Sequence, residues 1–152
     1  MPLMKALGAS GATTIILGLV AFVFFSGCAG ANLSSSKARG ANIQNLKTFY
    51  IIKNETDNRE VNVYKVIETE LKSRGREAET GPRSSIPANV DVIVTYHQHW
   101  VWDFGWYLLD LLIQFRNPET NVLLASALLY QPSLQREAPE LMAREVLDSM
   151  FK

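Results

Sequence analysis

His97-Gln98-His99 and, four residues on, Asp103 have the types and spacing that best suit metal chemistry in this sequence. Successive side chains alternate across a strand, so His97 and His99 share one face while Trp100 and Trp102 share the other. Two imidazoles so placed begin a zinc or copper site, with Asp103 as a conceivable third ligand. Against that, the sequence has no other histidine. The pair reads more simply as a continuation of the solvent face begun by Asp91 and Thr95, and neither a metal nor a cofactor is expected. Catalytic chemistry has no better footing. There is no GxSxG, P-loop or HExxH pattern, and no Cys–His pair. Glu68 with Glu70, and Glu77 with Glu79, read as solvated faces rather than as acid–base pairs. The chain is expected not to be an enzyme.

The same stretch is more notable for its aromatics. All three tryptophans fall between His97 and Tyr107, and Trp100, Trp102, Phe104, Trp106 and Tyr107 crowd a turn-like Asp103-Phe104-Gly105. Exposed aromatics at such a tip have three uses. They sit at a lipid headgroup interface, fill the core of a protein interface, or stack on sugar rings. The remaining possibility is that they fold over the sheet end and belong to the core.

The third reactive group is Cys28, the sole cysteine of the 152 residues. One thiol rules out an intramolecular disulfide framework and a Cys-rich zinc site. It follows an uncharged apolar run, Ala6 to Phe25, itself preceded by Lys5. That run is long enough to span a bilayer, and it also has the basic start and apolar middle of a secretory signal. The segment Phe25-Ser26-Gly27-Cys28 resembles the lipobox of bacterial lipoproteins, although Phe25 stands where that family usually has Leu. The resemblance implies cleavage before Cys28 and lipidation of its thiol. With Ala29 and Gly30 following and no Asp, it also implies sorting to the outer membrane, on its periplasmic face. The competing reading is an uncleaved transmembrane anchor. Several acyl chains would hold the protein firmly, since each buried methylene contributes about 0.8 kcal/mol.

Three segments follow from this: a signal peptide over 1–27, an acylated Cys28 with a flexible tether over 28–46, and a periplasmic domain over 47–152. The tether, AGANLSSSKARGANIQNL after the cysteine, is small, polar and aperiodic. As a flexible coil it would span roughly 20–25 Å. Lys and Arg total 15, as do Asp and Glu, for a formal net charge of zero, so no basic excess points to nucleic acid.

These groups must be positioned by the domain's elements. Leu46–Ile52 is β-rich and reads as a first strand. Asp57 is expected to cap a helix with Glu60 three residues on, and Val63, Ile67 and Leu71 with Tyr64 form its apolar stripe. Arg74-Gly75 stops it. A short strand at 77–80 follows, then three long strands over 90–102, 107–116 and 122–130, joined by short turns as an antiparallel meander. In the second of these, Tyr107, Leu109, Leu111, Ile113 and Phe115 mark one apolar face, while Leu108 and Leu112 lie on the other. The third is also apolar on both faces, which points to a partner or a second copy on the uncovered side. Pro139 opens a last helix with Met142, Ala143, Val146, Leu147, Met150 and Phe151 inward. The order β-α-β-β-β-β-α predicts an α+β two-layer sandwich, two helices on one face of a mostly antiparallel sheet.

Anchor, tether and element order together resemble small bacterial outer-membrane lipoproteins of envelope export and transport machines. These include lipoproteins of lipopolysaccharide assembly, of Pel-type exopolysaccharide export, and the auxiliary lipoproteins of ABC transport. LKSRGREAETG and NPETNVLLASALL carry this likeness within the domain. The resemblance implies a non-catalytic accessory or assembly subunit that docks on an envelope protein or a sister copy. The alternative is a glycan- or lipid-binding lipoprotein that uses the aromatic tip directly.

Overall fold

A computed structural model describes residues 31–54 and 61–152. The expected signal peptide, Cys28, and the expected cap residues Asp57 and Glu60 lie outside the described residues. Six strands and two α-helices follow in the order β1 (Asn32–Lys37), β2 (Thr48–Ile52), α1 (Val63–Ser73), β3 (Glu77–Gly81), β4 (Val92–Trp102), β5 (Trp106–Arg116), β6 (Leu123–Tyr130) and α2 (Pro139–Phe151). The strands form one sheet in the order β1-β6-β5-β4-β2-β3. The β4-β5-β6 meander and the β1–β6 pair are antiparallel, whereas β2 runs parallel to both β3 and β4. The fold is the expected α+β arrangement, with one strand more than expected.

That strand corrects the tether. Residues 32–37 pair along their whole length with β6, from Asn32 opposite Tyr130 to Lys37 opposite Ala125. Further on, Ile43 is only 2% exposed and belongs to the core. Asn-Leu-Ser-Ser-Ser-Lys has little intrinsic strand preference, and every one of its residues is exposed. The ladder on β6 is what makes it a strand, since sheet pairing overrides weak propensity.

Val63, Tyr64, Ile67 and Leu71 of α1 are all buried, as the stripe predicts. Asn62 occupies the cap position and its carbonyl accepts from Lys65 N at 2.9 Å. The helix ends where the chain turns left-handed at Gly75 (φ +72°). There Gly75 N donates to Lys72 O and Arg76 N to Leu71 O, which helps satisfy the carbonyls of the last turn. α2 buries Met142, Ala143, Val146, Leu147 and Met150. Between the helices, Glu70 is not solvated but 7% exposed. Its carboxylate takes Arg74 Nη1 at 2.9 Å and Arg144 Nη2 at 3.1 Å, tying α1 to α2. Burial by itself pushes the Glu70 carboxyl up, but the two arginines outweigh it and hold its pKa below the usual glutamate value.

The helices cover one sheet face. Beneath them lie Val92 and Val94 of β4, Leu108, Leu111, Ile113 and Phe115 of β5, and Ala125, Ala127 and Leu129 of β6. The odd-numbered rule for β5 breaks at a bulge. His99 faces Asp110 but Trp100 faces Leu108, which leaves Leu109 as the extra residue. One added residue reverses the side-chain alternation. Leu108 therefore enters the core, 1% exposed, instead of lying on the opposite face. Tyr107 leaves the odd-numbered set and sits opposite Val101.

Candidate functional site

β4 and β5 are the longest strands of the sheet, and their hairpin carries the aromatic cluster. Trp102 lies opposite Trp106 at its end. Their rings meet edge to face, with centroids 5.6 Å apart and planes inclined at 65°, the geometry that aromatic quadrupoles favour. Even so paired, Trp102 is 63% exposed and Trp106 53% exposed, and Phe104 between them is 99% exposed. Phe104 also has φ +51°. A bulky residue in the left-handed region costs of order 1–3 kcal/mol, and no contact of its ring with the rest of the domain offsets that cost at this exposure. The turn thus displays three large apolar rings in water at a conformational cost.

The base of the tip is fixed. Arg136, on the loop between β6 and α2, donates from Nη2 to Asp103 Oδ2 at 2.7 Å and lies 4.7 Å over the Tyr107 ring. Buried Gln131 anchors that loop. Its side-chain amide donates to Leu108 O, its Oε1 accepts from Glu137 N at 2.9 Å, and its backbone N donates to Leu109 O. Of the five aromatics expected at the tip, two are therefore structural. Tyr107 is buried beneath Arg136, and Trp100 packs against the core with Nε1 donating to Gln98 Oε1 at 3.1 Å. Trp102, Phe104 and Trp106 remain as the exposed group. Leu134, 91% exposed on the Arg136 loop, joins the apolar surfaces of this end and was not singled out by sequence. Its signal was a leucine inside the polar run Pro132-Ser133-Leu134-Gln135-Arg136.

His97 and His99 do lie on the face away from the helices, but they do not converge with Asp103. His99 Nδ1 is 3.0 Å from Asp110 Oδ2 on β5, while Asp103 serves Arg136. Among the described residues, no three His, Cys, Asp or Glu side chains are grouped to hold a metal ion. Leu112 and Leu128 lie opposite one another on this same open face, flanked by Ser34, Ser36 and Ser126.

The sheet register also fixes where the chain enters the domain. Asn32 faces Tyr130, Tyr130 faces Asp110, and Asp110 faces His99. The first residues of β1 are thus at the end of the sheet toward which the aromatic hairpin extends. No helix among the described residues is long and apolar enough to cross a membrane.

No family model and no curated protein matches the sequence. Among solved structures, the chain is similar to PelC from Paraburkholderia phytofirmans, described as a dodecamer in two crystal forms. A point-substituted form gives a TM-score of 0.60 at 12% identity, over 80% of this chain and 98% of that one. The other gives 0.57 at 11% identity, over 80% and 94%. A PDZ domain protein from Parabacteroides distasonis ATCC 8503 aligns with a TM-score of 0.50 at 13% identity, over 78% of this chain and 34% of that one. At these identities the likeness is one of fold.

Proposed function

We propose that this protein is a lipid-anchored, non-catalytic accessory subunit of an envelope export complex, held at the periplasmic face of the bacterial outer membrane and acting as a homo-oligomer. Acyl chains on Cys28 fix it to the bilayer, and its aromatic end rests in the headgroup region beside them. One observation carries this reading: the entry of the chain at Asn32 lies at the same end of the sheet as Trp102, Phe104 and Trp106. Only three residues of chain separate Cys28 from Asn32, and the four Cα-to-Cα steps between them reach at most about 14 Å fully extended. The hairpin continues four residues past Asp110 to Trp106, a comparable distance at about 3.3 Å per residue. Anchor and indoles therefore reach one plane, where Trp favours the interface between water and hydrocarbon.

The short reach replaces the picture of a domain suspended on a long tether. It makes the mechanism positional, with the sheet standing end-on to the membrane and its other surfaces free for partners. The likeness of the whole fold to dodecameric PelC supports an assembled rather than solitary subunit, and supports export of a polysaccharide as the service performed.

Intact mass of membrane-extracted protein tests the anchor. The expected mass is that of residues 28–152 plus acyl chains, with the modification abolished in Cys28→Ala. An unmodified full-length mass would overturn the reading.

A further inference from the structure

We infer that β1 is a releasable strap. It peels from β6 while the rest of the sheet stays folded, and so switches the link between Cys28 and the domain between a short and a long form. The change of reach rests on the anchored reading above, whereas the peeling of the strand does not.

β1 is attached unlike any other strand. All six of its residues are exposed, whereas each of the other five strands buries at least one. Of residues 31–37 only Ala31 packs against the core, and that in part. β1 is an outermost strand, so a single ladder, to β6, holds it. No hairpin turn ties that pair, since Ser36 and its partner Ser126 are 90 residues apart. To the ladder the side chains add an exposed hydrogen bond, Ser36 Oγ to Ser126 Oγ at 2.9 Å. Asn, Ser and Lys have little strand preference of their own. A segment with few buried apolar contacts and solvent-exposed backbone bonds opens at a lower free energy than the core it borders.

Peeling stops where burial begins. Past β1 the chain turns at Gly40 (φ +81°), and Ile43 is 2% exposed in the core. A little further on, Leu46 O accepts from Arg76 Nη1 at 2.6 Å. With β1 docked, the link from Cys28 to Asn32 is limited to about 14 Å. With β1 released, residues 29–42 separate Cys28 from Ile43. That link reaches about 50 Å fully extended and about 20 Å as a flexible coil. The docked strap holds the exposed indoles against the headgroups. The released strap lets the domain rise into the periplasm while Cys28 stays in the bilayer.

The hydrogen bonds of β6 make the peeling visible, because they alternate between its two neighbours. Leu124 O accepts from Ala38 N, and Gln131 N donates to Leu109 O. In an antiparallel strand the N–H and C=O of one residue point to the same neighbour. Ser126 and Leu128 therefore bond to β1, and Ala127 and Leu129 to β5.

Hydrogen exchange at single-residue resolution on the full-length, membrane-extracted protein tests the strap. The amides of Ser34, Ser36, Ser126 and Leu128 are expected to exchange together, about 100-fold or more faster than those of Ala127 and Leu129. Ser36→Cys with Ser126→Cys places thiols where the hydroxyls already meet. Oxidised, this pair should remove the difference, and reduced it should restore it. Ser34→Pro with Ser36→Pro deletes two donors to β6 and should hold the strap released. By neutron reflectometry on a supported bilayer, the proline variant should stand about 10–20 Å further from the membrane than the oxidised pair. A cooperative thermal transition shows that each variant folds. Equal exchange on the two sides of β6 would overturn the strap, as would equal heights of the proline and oxidised variants. Either result leaves the anchored role standing where the intact mass carries acyl chains. An unmodified mass would overturn the anchored reading, and the change of reach with it.

Discussion

Asn32 of β1 lies opposite Tyr130 of β6, and Tyr130 in turn lies opposite Asp110 of the aromatic hairpin. This register brings a chain whose cysteine stands four residues earlier to the end of the domain where indoles are exposed. If that end meets lipid, removing the rings should weaken membrane binding without weakening the fold. In a chain beginning after Cys28, which carries neither the apolar leader nor the acyl site, the triple change Trp102→Ser, Phe104→Ser, Trp106→Ser should abolish co-sedimentation with phosphatidylethanolamine–phosphatidylglycerol vesicles. Because its ring is exposed and unpaired with the other two, Phe104→Ser should shift unfolding free energy by no more than about 0.5 kcal/mol, and either tryptophan change by about 1 kcal/mol, the scale of their edge-to-face contact. Retained vesicle binding by the triple variant would sink the membrane role of the tip.

The bulge makes a sharper prediction about two neighbouring leucines. Leu108 is fully buried and Leu109 half-buried. Leu108→Ala should cost about 3 kcal/mol, as cavity-forming changes in cores do, and Leu109→Ala about 1 kcal/mol. Urea denaturation of the two variants measures the difference. Equal costs would mean that the bulge does not select which leucine is buried.

Gly81 is held to glycine by contact rather than by backbone angle. A Cβ there would overlap the Tyr50 hydroxyl and approach the ring carbon bearing it to 3.1 Å. Tyr50 donates that hydroxyl to Pro82 O at 3.0 Å. Gly81→Ala should destabilise by about 1–2 kcal/mol through displacement of the ring and loss of this bond. In a Tyr50→Phe background the added cost of Gly81→Ala should shrink, and a double-mutant cycle reads the coupling.

Acid should loosen the junction of the helices. The Glu70 pKa lies below its ordinary value of 4.5, as does that of Glu68, where Lys72 and Thr80 outweigh burial. Asp91 is also held low, by the backbone N–H groups of Lys47 and Thr48. A carboxyl with a depressed folded-state pKa binds protons more readily when unfolded. Its stabilisation is therefore complete above the ordinary value and is lost as pH falls below it, through the folded-state pKa. Unfolding free energy should be level from pH 7 to about 5 and then decline. Glu70→Gln, which keeps the shape but removes the charge facing Arg74 and Arg144, should lower the plateau by about 2 kcal/mol and make the decline shallower. Urea titrations at several pH values check both.

Much of the domain was legible because its signals are local. Both helices carry apolar stripes on a single face, Pro139 and Gly75 mark their limits, and the three long strands are separated by compact turns. The aromatic hairpin was legible for the same reason, since its residues adjoin in sequence. What was not legible depended on partners distant in the chain. Asn32–Lys37 reads as a polar tether because serines carry no strand signal, and only the open edge of β6, some ninety residues later (Ser36 meets Ser126), makes it a strand. Glu70 reads as one of two solvated acids because its second arginine, Arg144, is on the other helix.

By itself the sequence determined the alternation of apolar and polar residues, the positions of the turns, and the concentration of indoles beside a single Asp-Phe-Gly turn. These follow from side-chain chemistry acting over a few residues. Only the tertiary structure decided which of the aromatics are exposed, which face Leu108 takes, and at which end of the sheet the chain begins. A bulge of one residue reverses every side chain beyond it, and strand register sets distances between segments far apart in sequence. Neither quantity is encoded in any short stretch, because each exists only once two strands have paired.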